Sequence, residues 1–192
     1  MTVKLLFLAG SARKDSFNKK LAHQAYSIAR EKQVEATYID LADFDMPIYD
    51  GDCEDAKGLP ENAIKLKKLF CEHDGFFISS PEYNSSISPL LKNSLDWISR
   101  KHEDNEKTLV AYKGKVAGLV AASPGGLGGL RGLVTLRMML GNIGVTVIPE
   151  QLAVSAAHEA FDDKGLLKDE KQVRMLANVV ESFVQTTKSL KK

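Results

Sequence analysis

Short apolar, β-prone runs alternate with stretches of helical periodicity along the whole chain, and this alternation constrains the fold more than any other feature. The runs lie at residues 3–9, 34–39, 75–80, 116–122 and 145–148. Apolar residues recur at helical spacing in between: Leu21, Ala22, Ala25, Ile28 and Ala29; Ala63, Leu66, Leu69 and Phe70 after Pro60; then Leu91, Leu95 and Ile98. Leu133, Leu136 and Leu140 form a fourth set, and Val173, Leu176, Ala177, Val180 and Val184 a fifth, on a helix predicted over 169–186. The first run is broken only by Lys4, which suits a strand covered on both faces. Strand–helix alternation implies a parallel sheet with right-handed crossovers. With five strands, the expectation is an α/β flavodoxin-like fold, order 2-1-3-4-5, as one domain over 1–192. Residues 40–59, with Pro47, Gly51, Gly58 and several acids, read as a surface loop, and 100–113 as a polar connection.

Charge and cysteine usage narrow the function. Lys plus Arg number 26 and Asp plus Glu 25, a net charge of +1, so no strong field points to nucleic acid or an anionic membrane. Cys53 and Cys71 have no CxxC spacing and no histidine cluster beside them, which suggests a reducing compartment and argues against a metal site. Met1 leads straight into a strand pattern, without a basic leader or a long apolar run, so the expected location is the cytoplasm.

In the expected order, strands 1, 3 and 4 are neighbours, and ligands bind beyond their carboxyl ends. The loops there are the unusual ones. The first reads Gly10-Ser11-Ala12-Arg13-Lys14-Asp15-Ser16-Phe17-Asn18 and opens a helix. It offers hydroxyls, an amide, a guanidinium and a helix N-terminus, the donors a phosphate uses. A solvated loop with Ser16 as N-cap accounts for the same residues. The second loop, 81–88, has a rigid proline, an aromatic ring and an amide; Ser88 is placed to cap the next helix, with Pro89 at its first position. The third reads Ser123-Pro124-Gly125-Gly126-Leu127-Gly128-Gly129, where backbone can approach a flat ligand. A ligand with a phosphate at one end and a planar polar ring at the other fits all three. Competing motifs fail: Gly128-Gly129 leads to Leu130-Arg131 rather than Lys-Ser/Thr, Arg131 stands where a third dinucleotide-loop glycine belongs, and no GxSxG occurs.

Three motifs together, Gly10-Ser11-x-Arg13-x-x-Ser16-x-Asn18, Ser80-Pro81-Glu82-Tyr83-Asn84-Ser85-Ser86-Ile87 and Leu91-Lys92-Asn93-x-x-Asp96-Trp97, closely resemble the NADPH-dependent FMN reductase family, which includes chromate, quinone and azoreductase-like enzymes. The resemblance implies non-covalent FMN, NADPH or NADH as co-substrate, and a quinone, azo, chromate or flavin acceptor. Carried over by position, Ser11, Arg13, Ser16 and Asn18 would hold the phosphate. Pro81, Glu82, Tyr83 and Asn84 would wrap the ribityl chain and ring edge. The glycine loop, richer in glycine than in many relatives, would offer Ser123, Gly125 and Gly126 to the ring. Flavin N5 would carry the chemistry, so no catalytic side chain is expected. Arg13, Arg100, Lys101 and Arg131 are the cations considered for the nicotinamide cofactor's phosphate. The Glu82 backbone is expected to matter more than its carboxylate. A homodimer or homotetramer is expected through the third helix, where Leu90 and Trp97 stand off the core face. A flavodoxin-type electron carrier and a redox-inactive nucleotide or sugar phosphate binder are the rival readings.

Overall fold

The computed structural model describes residues 2–191. The parallel strands β1 (Lys4–Ala9), β2 (Glu35–Asp40), β3 (Gly75–Ser79), β4 (Val116–Ala122) and β5 (Thr146–Val154) form one sheet in the order β2-β1-β3-β4-β5. The expected order is thus the observed one. The helices are α1 (Phe17–Arg30), α2 (Gly51–Lys57), α3 (Glu61–Glu72), α4 (Pro89–Ser99), α5 (Leu130–Asn142), α6 (Ala157–Ala160) and α7 (Glu170–Leu190). α1 and α7 cover one face of the sheet over a core of Phe7, Phe77 and Phe183. α3, α4 and α5 cover the other over Leu6, Leu8, Phe76 and Ile78. Both faces of β1, β3 and β4 are therefore buried, as their continuous apolar runs require.

Several local expectations are corrected. The 40–59 segment is not a plain loop: it holds a short 3₁₀ turn, Leu41–Asp43, and α2. The Asp50 side chain accepts from Cys53 N–H and caps α2, and Asp52 and Glu54 lie in its first turn, where the helix dipole favours acids. Pro60 is the N-cap residue of α3. β5 runs past Pro149 to Val154, with an irregularity opposite Ala117 and Leu119; an edge strand tolerates a proline there. The connection 100–113 is not uniformly polar, since Tyr112 is fully buried and donates its hydroxyl to Leu95 C=O.

Trp97 does not stand off the core. It is 0% exposed, and its Nε1 donates to Pro47 C=O, the same carbonyl that Asn93 Nδ2 holds. Tyr49 packs edge-on against Trp97, and Arg100 pairs with Glu54. The third motif therefore straps the 46–57 segment onto α4. Leu90 is only partly exposed and packs against the core. The exposed apolar face lies one helix on, at Leu127, Leu130, Val134 and Met138, which are 40–63% exposed. Met139 packs against the core, whereas Met138 is 62% exposed.

Candidate active site

β1 ends in a turn whose start is fixed from two sides: Gly10 N–H donates to Ser79 C=O, and Ser88 Oγ donates to Gly10 C=O. Ser88 also accepts from Leu91 N–H and caps α4, with Pro89 at its first position. One hydroxyl thus joins the first loop to the helix after the second. Ser16 caps α1 by accepting from Asn18 N–H, and Ser11 Oγ accepts from Arg13 N–H. The α1 N-terminus is left beside two buried hydroxyls and an exposed guanidinium. Arg13 joins no ion pair among the described residues; by contrast Arg100 is tied to Glu54 and Arg131 to Glu82. Of the cations weighed for the nicotinamide cofactor, these two arginines already have partners.

The second loop is a miniature hairpin. Tyr83 and Ser86 exchange backbone hydrogen bonds at 2.9 and 3.1 Å, while Asn84 and Ser85 take φ of 51° and 66°. Two positive φ values in a two-residue turn favour asparagine at the first position, which gives Asn84 a backbone reason to be there. Asn84 is not among the residues that line the cleft. Tyr83 is 47% exposed on the cleft rim.

The three loops meet. A hollow of about 100 Å³ is lined by Ser11, Arg13, Ser16, Asn18, Pro81, Glu82, Tyr83 and Ser123 together with Phe17, Ala122 and Pro124. The last three were not singled out in the sequence: Phe17 and Ala122 read there as ordinary helix and strand residues. Asn84, Gly125 and Gly126 lie outside this lining. A Cβ placed on Gly126 meets nothing within 4 Å, so the loop faces open space at that residue, while Gly128 and Gly129 pack closely against Ser155, Val154 and Ala121. Larger hollows of about 510 and 550 Å³ lie elsewhere, over α1 and between α3 and the 102–106 segment; neither gathers the strand-end loops. His158, on α6, is also outside the cleft and sits beside Glu159.

Asn18 behaves differently from its neighbours. Its Nδ2 donates to Ala122 C=O at 2.8 Å, and its Oδ1 accepts from Ala122 N–H and Ser79 Oγ, both at 3.0 Å. It is 3% exposed, so its amide stitches the ends of β3 and β4 rather than reaching out. Glu82 also departs from expectation, because its carboxylate is engaged: it accepts from Gly132 N–H at 2.9 Å and pairs with Arg131 at 3.1 Å.

The donor set fits FMN. Hydroxyls, a guanidinium and a helix N-terminus suit a phosphate at one end; a proline–tyrosine wall and an open glycine loop suit a planar ring at the other. No helix is long and apolar enough to cross a membrane, and no group of three potential metal ligands occurs among the described residues.

Comparison with known proteins agrees with this geometry. Residues 3–159 match the NADPH-dependent FMN reductase family. An NAD(P)H-dependent FMN reductase of Pseudomonas aeruginosa is 29% identical over 94% of this chain and 93% of its own. An NAD(P)H:quinone oxidoreductase of Solanum tuberosum is 31% identical over 93% of this chain and 89% of its own. Among solved structures, FerB, a flavoenzyme NAD(P)H:(acceptor) oxidoreductase of Paracoccus denitrificans, superposes with a TM-score of 0.82 at 28% identity, covering 98% of both chains. The flavodoxin-like sheet, the convergent strand-end loops and the match over most of the chain lead to one conclusion: the protein belongs to the NADPH-dependent FMN reductase family, an oxidoreductase that uses FMN with NAD(P)H as co-substrate.

Proposed function

We propose that the cleft holds FMN and that the enzyme reduces a quinone, or an azo, chromate or flavin acceptor, in a substituted-enzyme cycle. The convergence of the three loops on one hollow carries this reading. Ser11, Ser16 and Arg13 take the phosphate with the α1 N-terminus; Arg13, in no ion pair among the described residues, supplies the charge-assisted donor. Asn18 holds the strand ends in place beneath it. Pro81, Glu82 and Tyr83 form the wall beside the ribityl chain, and Ser123, Gly125 and Gly126 bring backbone to the ring. FMN held there would supply hydride-transfer chemistry at N5 between NAD(P)H and the acceptor. A single flat site over the ring would serve reductant and acceptor in turn. Steady-state rates at several fixed quinone concentrations then give parallel double-reciprocal lines, with high quinone competing against NAD(P)H. Intersecting lines would contradict the shared site and favour an electron carrier or a ternary complex.

The enzyme assembles as a homo-oligomer. Burial of Trp97 removes the reason to place the contact on α4. Leu127, Leu130, Val134 and Met138 recur at helical spacing along the outer face of α5 and its lead-in, and such an apolar stripe suits a second copy of the chain. The contact would then lie beside the glycine loop. The free cysteines Cys53 and Cys71 support a cytoplasmic setting.

A further inference from the structure

We propose that Glu82 is a positioning residue: its carboxylate caps the first turn of α5 from a distant loop and so aims the 123–129 backbone at the ring end of the flavin. The proposal rests on the assignment of FMN to the cleft.

α5 begins without a cap of its own. Its N-cap residue is Gly129, at φ 92°, which has no side chain to accept from the first turn. A helix start leaves several backbone N–H groups unpaired, and one of them, on Gly132, is taken by Glu82 Oε2 at 2.9 Å. The other oxygen, Oε1, holds Arg131 through Nε and Nη2 at 3.2 and 3.1 Å. The Glu82 side chain is 10% exposed and its bond to Gly132 N–H is part-buried, whereas Arg131 is 61% exposed and reaches Glu82 from the solvent side. A carboxylate there also lies at the positive end of the α5 dipole.

Close approach makes the contact possible. A Cβ on Gly132 would sit 3.3 Å from both Glu82 Cβ and Ser86 C=O. Thr135 Oγ1 adds a bond to Ser85 C=O at 3.3 Å. The 81–86 hairpin and the start of α5 are therefore one body, and the glycine loop runs from the end of β4, past the end of β5 at Gly128, into that body. Through Glu82, the wall beside the ribityl chain fixes the backbone that faces the ring.

Two pairs of variants test this. Glu82→Ala and Glu82→Gln both remove the carboxylate charge, but only Gln keeps an oxygen for Gly132 N–H. Charge alone would raise the flavin reduction potential equally in both; positioning predicts that Ala lies below Gln. Glu82→Ala should weaken FMN and riboflavin alike, by about threefold to tenfold, because the change is at the ring end. Glu82→Gln should recover most of that loss. Gly132→Ala alters no charge but crowds the same contact, and should reproduce the Ala phenotype. Amide exchange should show Gly132 unprotected in Glu82→Ala and protected in Glu82→Gln, with or without flavin. Equal potentials in the two Glu82 variants, or Gly132→Ala with unchanged flavin affinity, would overturn the proposal. If Glu82→Ala does not fold, Gly132→Ala against Glu82→Gln decides. A wild-type protein that binds no flavin but keeps the Gly132 protection would instead defeat the FMN assignment.

Discussion

Replacing Asn18 with Ala separates a scaffold from a ligand contact. The amide makes three hydrogen bonds, to Ala122 C=O, Ala122 N–H and Ser79 Oγ, at a position 3% exposed. Truncation leaves two backbone groups and a hydroxyl without partners. A buried unsatisfied group costs about 1–3 kcal/mol. The Ser79 hydroxyl can rotate, and the hollow that Asn18 and Ala122 both line can admit water, so the lower end applies to the two backbone groups. The sum is about 2–3 kcal/mol, or a fall in Tm of roughly 4–12 °C for a chain of this size. The assay is thermal unfolding of the apoprotein by circular dichroism, followed by FMN and riboflavin titrations of the folded variant. Loss of stability with FMN and riboflavin weakened to a similar degree is expected, because the strand ends under the whole cleft relax. An apoprotein of unchanged Tm with selective loss of FMN would refute the scaffold role and make Asn18 a phosphate ligand.

Arg13→Ala should weaken FMN by roughly tenfold to over a hundredfold, from about 1.5–3 kcal/mol for a charge-assisted bond, and leave riboflavin binding and apoprotein Tm unchanged; equal losses for both flavins would place Arg13 elsewhere. Met138→Lys with Val134→Lys should convert the assembly to monomers by light scattering, whereas Lys92→Glu, at an exposed position on α4, should not; an unchanged mass would clear α5 of the contact. Burial raises the Glu106 carboxyl, but hydrogen bonds from Lys67 and from His102 N–H outweigh it and hold the group below its ordinary 4.5. The Lys67–Glu106 tie therefore stabilises fully above about pH 4.5 and is lost as pH falls through the lower folded value. The Tm of Glu106→Gln should lie below wild type at neutral pH and converge with it in acid, and parallel curves would sink the assignment.

The sheet order was legible because it depends on coarse periodicity: β1, β3 and β4 are buried on both faces, and their apolar runs say so. So were the Ser16 and Ser88 caps, since capping is a local interaction. The contacts the sequence does not show are those whose partners lie far along the chain. Trp97 looks surplus to its helix until the Pro47 carbonyl is brought over it. Asn18 reads as a phosphate donor beside Ser11, Arg13 and Ser16, and its amide bonds across to Ala122. Glu82 finds its helix start fifty residues on. Helix α2 had a local signal, Asp50 followed by Asp52 and Glu54, hidden among the glycines and acids of a segment that otherwise reads as loop.

The most direct test is an anaerobic titration of the purified, FMN-loaded protein with NADPH, followed by absorption near roughly 450 nm, where oxidised flavin absorbs. The predicted result is loss of that band at about one equivalent of NADPH and its return when a quinone is added. A flavin band that NADPH and NADH both leave intact, or a protein that takes up riboflavin as tightly as FMN, would contradict the assignment of this cleft.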